Sequence, residues 1–117
     1  MTTGYKTLIG HFDFGGKTYS FVTTSELKFE LNMGRWQTHL GIQTGSEEVR
    51  DMLMQVFNQL LKIKLRFNFP KSKGQIKFVD IHDCQIYKIS PYPFGARAEI
   101  EGYMESSDFM EEKVMLN

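Results

Sequence analysis

The strongest constraint on this chain is the order in which its hydrophobic periods change. Four stretches of two-residue alternation come first, one stretch with a helical period follows, and alternation then returns almost to the end. The helical stretch covers about 46–61, with Val49, Met52, Leu53, Val56, Phe57, Leu60 and Leu61 on one stripe. That i, i+3, i+4, i+7, i+8 spacing gathers side chains on a single helix face. Directly after it, Ile63, Leu65, Phe67 and Phe69 alternate with Lys62, Lys64, Arg66 and Asn68, the pattern of a half-buried strand. A mainly β chain with one helix set between its strand groups limits the architecture more than any motif in it, because no catalytic motif is present.

The strand candidates follow from alternation and turn chemistry. The first runs over 5–14, and Gly15-Gly16 supplies the positive φ angles of a two-residue hairpin turn. The second covers 17–24. Leu27, Phe29 and Leu31 alternate with Lys28 and Glu30 in a third strand with one wet face, Asn32-Met33-Gly34 turns the chain, and a fourth strand over 36–44 has Leu40 and Ile42 as its inward residues. Two N-caps are open for the helix: Thr44 with Glu47 has capping-box spacing, and Ser46 is the alternative. In either case Glu47 and Glu48 sit at the positive end of the helix dipole. Beyond Phe69, a hairpin loop is expected over 70–74, strands over 76–81 and 85–89, a break at 91–95 and a last strand over 97–105. In that last strand Ala96, Ala98, Ile100 and Gly102 alternate with Arg97, Glu99, Glu101 and Tyr103.

Some eight strands and one helix in 117 residues make one domain with one core. A compact β-barrel or rolled antiparallel sheet, with the helix over an end or a side, is the economical packing, and closure also removes exposed strand edges. The domain is assigned to 1–106 and a C-terminal tail to 107–117. Formal charge is zero, with 14 basic and 14 acidic residues, so no global field draws nucleic acid or an anionic membrane. Cys84 is the only cysteine, which excludes an intrachain disulfide and favours a reducing compartment. The N-terminal residues lack the apolar run of a secretory signal, and no 18-residue apolar stretch exists. The expected location is the cytoplasm, with any export by a route that reads no cleavable signal.

Each chemical constellation has a plainer reading. Asp80, His82 and Cys84 share one face if their strand is unbroken and would then offer metal ligands; Asp83 suggests a bend that breaks this face, and no metal or cofactor is expected. Cys84 as a nucleophile lacks an elbow, an oxyanion loop and a third partner, and reads as a half-buried thiol. Glu47 with Glu48 is explained by helix capping, and Glu99 with Glu101 by the wet face of a strand. Gly15-Gly16 lacks the spacing of a phosphate loop. Lys62, Lys64, Arg66, Lys71, Lys73 and Lys77 form a basic cluster that could hold single-stranded nucleic acid beside aromatic platforms, yet the alternating aromatics point to the opposite face. No catalytic residue is assigned.

Taken in order, these elements resemble the haemolysin-coregulated protein family, the inner-tube subunits of type VI secretion systems, particularly the short Bacteroidetes form. The resemblance rests on the hairpin Phe12-Asp13-Phe14-Gly15-Gly16-Lys17-Thr18-Tyr19-Ser20-Phe21, the strand at 26–32, the acidic helix start at 44–49, and the strands at 63–69, 76–81 and 98–104. It implies a non-enzymatic barrel that assembles into hexameric rings, stacks as a tube and meets sheath, baseplate or effector proteins; related contractile-tail tube proteins belong to the same class. Residues 107–117 carry Phe109, Met110, Val114 and Met115 among acids and are the expected interface segment. The alternative is a monomeric small barrel that binds a small ligand, a peptide or a host protein in the manner of a phage accessory or inhibitor protein. The bulky inward set Phe29, Phe67, Phe69 and Phe78 argues against the internal cavity a ligand-binding barrel needs.

Overall fold

The computed structural model describes residues 8–24, 27–68 and 78–104. Seven strands and one helix follow in the order β1 (Ile9–Phe14), β2 (Lys17–Thr23), β3 (Phe29–Asn32), β4 (Arg35–Thr44), α1 (Glu47–Asn58), β5 (Ile63–Asn68), β6 (Phe78–Tyr92) and β7 (Gly95–Met104). All pairings are antiparallel, in the order β2-β1-β5-β6-β7-β4. A short seam between β2 and β4, Val22 opposite Gln43 and Thr23 opposite Ile42, closes these six strands into a barrel. β3 runs along β4 from Phe29 opposite Thr38 to Asn32 opposite Arg35. It uses the same edge of β4 as β2 does, because the other edge is occupied by β7.

The two-residue period is what fills the barrel. Phe12, Phe21, Leu40, Ile42, Leu65, Phe67, Ile81, Ala98 and Ile100 alternate inward and are buried. Phe12 stacks on Tyr19 at 5.5 Å between centroids, and Phe21 meets Phe67 edge-to-face at 5.6 Å, arrangements that suit aromatic quadrupoles. Gly15 and Gly16, at φ 61° and 78°, make the expected hairpin turn, with Phe14 opposite Lys17. The interior is therefore packed with side chains.

The helix covers one end of the barrel. Ser46 is its N-cap, its hydroxyl accepting from the Val49 N–H at 3.3 Å. Val49, Leu53 and Val56 are buried against β6, β7 and β2. Two contacts fix it to the turns at that end. Lys17 pairs with Glu48 at 2.7 Å, and the Arg50 guanidinium donates to the carbonyls of Tyr92 and Pro93 at 2.7 and 2.6 Å.

Four expectations are corrected. The helix ends at Asn58, three residues before Leu61, and Leu60 is 71% exposed. Leu60 enters the left-handed region at φ 54°, its N–H donating to the Phe57 carbonyl while the Leu61 N–H donates to Val56. That is a Schellman ending with leucine where glycine usually stands, and it turns Leu60 out of the stripe. Leu31 is 63% exposed, since β3 has β4 on one edge and no described strand on the other. Phe78 is 43% exposed because it lies outside the barrel, beneath the Arg66 guanidinium at 3.9 Å. The strands expected at 76–81 and 85–89 are one strand, β6, joined through an irregularity at His82–Gln85. Residues 5–7, Phe69, the loop at 70–74, the start of the 76–81 strand and Glu105 lie outside the described residues.

Candidate functional site

The first of two irregularities in β6 decides the fate of the metal reading. Asp83 has a φ of 51°, and Ile63 pairs with Cys84 while Leu65 pairs with Ile81, so two residues of β6 face one of β5. This bulge inverts the alternation. Ile81 and Cys84 point inward, whereas Asp80 and His82 are half-buried on the outer face, so Asp80, His82 and Cys84 are not brought together. Among the described residues no group of three His, Cys, Asp or Glu side chains is placed to hold a metal ion. The Cys84 thiol is fully buried and donates to the Ile81 carbonyl at 3.3 Å; burial pushes its pKa up to about 12, which keeps it protonated and unreactive at neutral pH. Gly102 makes room for it, since a Cβ there would stand 2.6 Å from both Cys84 Sγ and an Ile81 methyl.

The basic stripe of β5 is largely answered from within the fold. Arg66 donates to both Asp80 oxygens, at 2.7 and 3.0 Å, and Lys64 stands 3.9 Å from the same carboxylate. The Arg66 hydrogen bonds hold the Asp80 carboxyl below its ordinary pKa. Lys71, Lys73 and Lys77 lie outside the described residues, as do Phe109, Met110, Val114 and Met115. Glu47 and Glu48 stand in the first turn of the helix.

The outer face of β4, β7 and β6 is organised differently. Glu101 accepts from the Gln37 amide and from the Tyr103 hydroxyl, the latter at 3.3 Å, and His39 Nδ1 lies 3.9 Å from it. The His39 ring reaches across β7 to meet Tyr87 edge-to-face at 6.3 Å. Burial, then Glu99 and Glu101, push the Tyr87 phenol above its usual pKa.

Beside this cluster lies an open groove of 310 Å³, lined by Thr24, Gly41, Lys88, Ser90, Tyr92, Arg97 and Glu99 among others. Strand pairing builds it. Ser90 faces Arg97 and Lys88 faces Glu99, so Lys88 and Arg97 are diagonal neighbours, roughly 7–8 Å apart at the backbone. The second irregularity of β6, between Ile86 and Lys88, leaves Tyr87 and Lys88 both exposed. Gly41 opens the floor: a Cβ there would stand 2.2 Å from the Thr24 hydroxyl, which folds over it, held by the Thr24 N–H to Gly41 carbonyl bond of 2.9 Å. The wall is anchored by Arg50 on the Tyr92 and Pro93 carbonyls. Among the described residues, the side chains of Lys88 and Arg97 make no hydrogen bond or ion pair.

The groove thus presents two cations without an ion pair among the described residues, one carboxylate and three hydroxyls. It was not visible in the linear sequence because its residues come from β4, β6, β7 and Thr24, just past the end of β2. The available signal was the hairpin around Pro93-Phe94, whose register pairs 88–92 with 95–99. Among the described residues no helix is long and apolar enough to cross a membrane. Comparison with protein-family models, with curated proteins and with solved structures finds no match.

Proposed function

We propose that this chain is a structural subunit that assembles with copies of itself into rings, and that the rings stack as the inner tube of a contractile, type VI secretion-like injection apparatus. On this reading it is not an enzyme, its partners are neighbouring subunits and the sheath, baseplate or effector proteins of the apparatus, and export needs no signal peptide. The observation that carries the reading is a pair of different apolar patches on opposite sides of the barrel. One is Leu31 and Met33, 63% and 97% exposed, on the β3–β4 hairpin. The other is Ile9 and Phe78, 61% and 43% exposed, which flank the backbone of Asn68 in one cross-strand row. In the strand order β4 and β5 are three places apart around a six-strand barrel, so the patches face away from each other. A self-complementary dimer needs only one patch; two unlike patches suit the heterologous contact that closes a ring. The filled interior favours this reading over a ligand-binding barrel, whose cavity would lie inside.

The test is negative-stain imaging of the purified protein beside a Leu31→Asp, Met33→Asp variant. Rings from the original chain, and dispersed particles from the variant, are expected. Rings that persist in the variant, or no rings from either, would refute the proposed contact.

A further inference from the structure

The groove between β4, β6 and β7 has a feature that assembly through the two apolar patches does not explain: two cations whose backbones are fixed by strand pairing and whose side chains have no ion pair among the described residues. Lys88 and Arg97 are exposed, diagonal across a hairpin, and set on strands rather than loops, an arrangement suited to recognition of a carboxylate or other oxyanion. At 310 Å³ the groove has room for a few side chains and stands at the lower limit for small-molecule pockets. Tyr92, which lines it, is 45% exposed, and Phe94, two residues further on in the hairpin turn, is 74% exposed. A matching occupant would carry adjacent acids next to large apolar side chains.

The chain itself contains such a segment. Residues 108–112 read Asp-Phe-Met-Glu-Glu, two large apolar residues followed directly by two acids. Resting on the assembly reading above, we propose that residues 108–112 of a second copy dock in this groove, the Glu111 and Glu112 carboxylates on Lys88 and Arg97, and Phe109 and Met110 against Tyr92 and Phe94. Reach favours the neighbouring copy over the same chain. Arg97 lies seven residues back along β7 from Met104, roughly 23 Å at strand rise. The eight residues 105–112 span at most about 29 Å when fully extended, which leaves little for a reversal of direction. The return path would also carry Glu105 and Asp108 over Glu101 and Glu99 on the outer face of β7, an unfavourable approach of like charges. A segment arriving from a neighbour needs no reversal and does not pass Glu101; Glu99, opposite Lys88 in the groove, is the one acid it meets.

The decisive experiment is a charge exchange on the full chain. Lys88→Glu with Arg97→Glu reverses the groove, and Glu111→Lys with Glu112→Lys reverses the segment. Each double variant alone should weaken assembly by about tenfold or more in concentration, as loss of complementary interface charge does. An equimolar mixture of the two should recover assembly, because each groove then finds a segment of opposite sign on the other chain. Docking within one chain would give no such recovery in the mixture. A mixture that assembles no better than its components overturns the inference, as do double variants that assemble like the original. If the original chain assembles and both variants match it, only the docking fails; if the original chain is monomeric, the assembly reading fails and the inference with it. A synthetic peptide of residues 105–117 supplies an independent readout. It should shift the backbone amide resonances of Lys88, Ser90 and Arg97 saturably, and a peptide that shifts them no more than other surface amides contradicts the proposal.

Discussion

An arginine stands on each side of β6, and the two are used in opposite ways. Arg66, on β5, grips both oxygens of Asp80 and lies over the Phe78 ring. Arg97, on β7, faces Ser90 across the hairpin and has no ion pair among the described residues. Arg66 belongs to the run of basic residues that stands out in the sequence, and the fold answers its charge internally. Arg97 belongs to no run; only strand pairing places it near Lys88. A conspicuous charge cluster can therefore be internal structure, while two cations that stand in no run are brought side by side by the register of a hairpin.

This contrast presupposes a packed interior, so that binding is left to the outer surface, and the largest expected effect tests that premise. Leu53→Ala removes a side chain fully buried where the helix covers the barrel and should cost roughly 2–5 kcal/mol in denaturant unfolding. A loss under about half a kcal/mol would mean that the end of the barrel collapses around the gap and that its interior is not tightly filled.

The next effect sharpens the contrast itself. Asp80→Asn should cost up to about 1 kcal/mol at neutral pH, since the pair is only partly shielded from solvent. It should also change the acid limb of the stability curve. Arg66 holds the native Asp80 carboxyl below its ordinary value, so the native state keeps this charge to lower pH than the unfolded chain does. The contribution of the pair is whole above the unfolded carboxylate value, near pH 4, and is lost as pH falls through the lower native one. The variant should therefore lose less stability than the original chain below about pH 4; parallel acid limbs would show that the pair does not matter. The smallest effect lies on the other side of β6. Arg97→Gln should change stability by less than about 0.5 kcal/mol, and a larger loss would show that Arg97 has a structural partner and is not available to a ligand.

How much of this was legible in the sequence depends on whether a feature shows in the hydrophobic period. Alternation reports burial directly, so the inward rows 63, 65, 67 and 96, 98, 100, 102 were readable, as was the helix stripe through Val49, Leu53 and Val56. Gly15-Gly16 marked its turn because positive φ is cheap only for glycine. Three features left no such mark. The bulge at Asp83 shifts the alternation by one residue without a glycine or proline; Asp83 itself suggested the bend that separates Cys84 from Asp80 and His82, but the period alone did not show that the strand continues through it. Leu60 ends the helix in a conformation its side chain does not favour, so the apolar stripe seemed to continue. Lys88 and Arg97 fall within one hairpin, but the groove they line is completed by Thr24 and Gly41, which no local window joins to them.

Self-association underlies both the proposed rings and the docking in the groove, and sedimentation velocity of the unmodified protein over a wide concentration range measures it most directly. The prediction is a species several times heavier than the 13.6 kDa chain, growing in population with concentration. A single 13.6 kDa species at every concentration would contradict it and would leave the outer groove as the site of a monomeric binding protein.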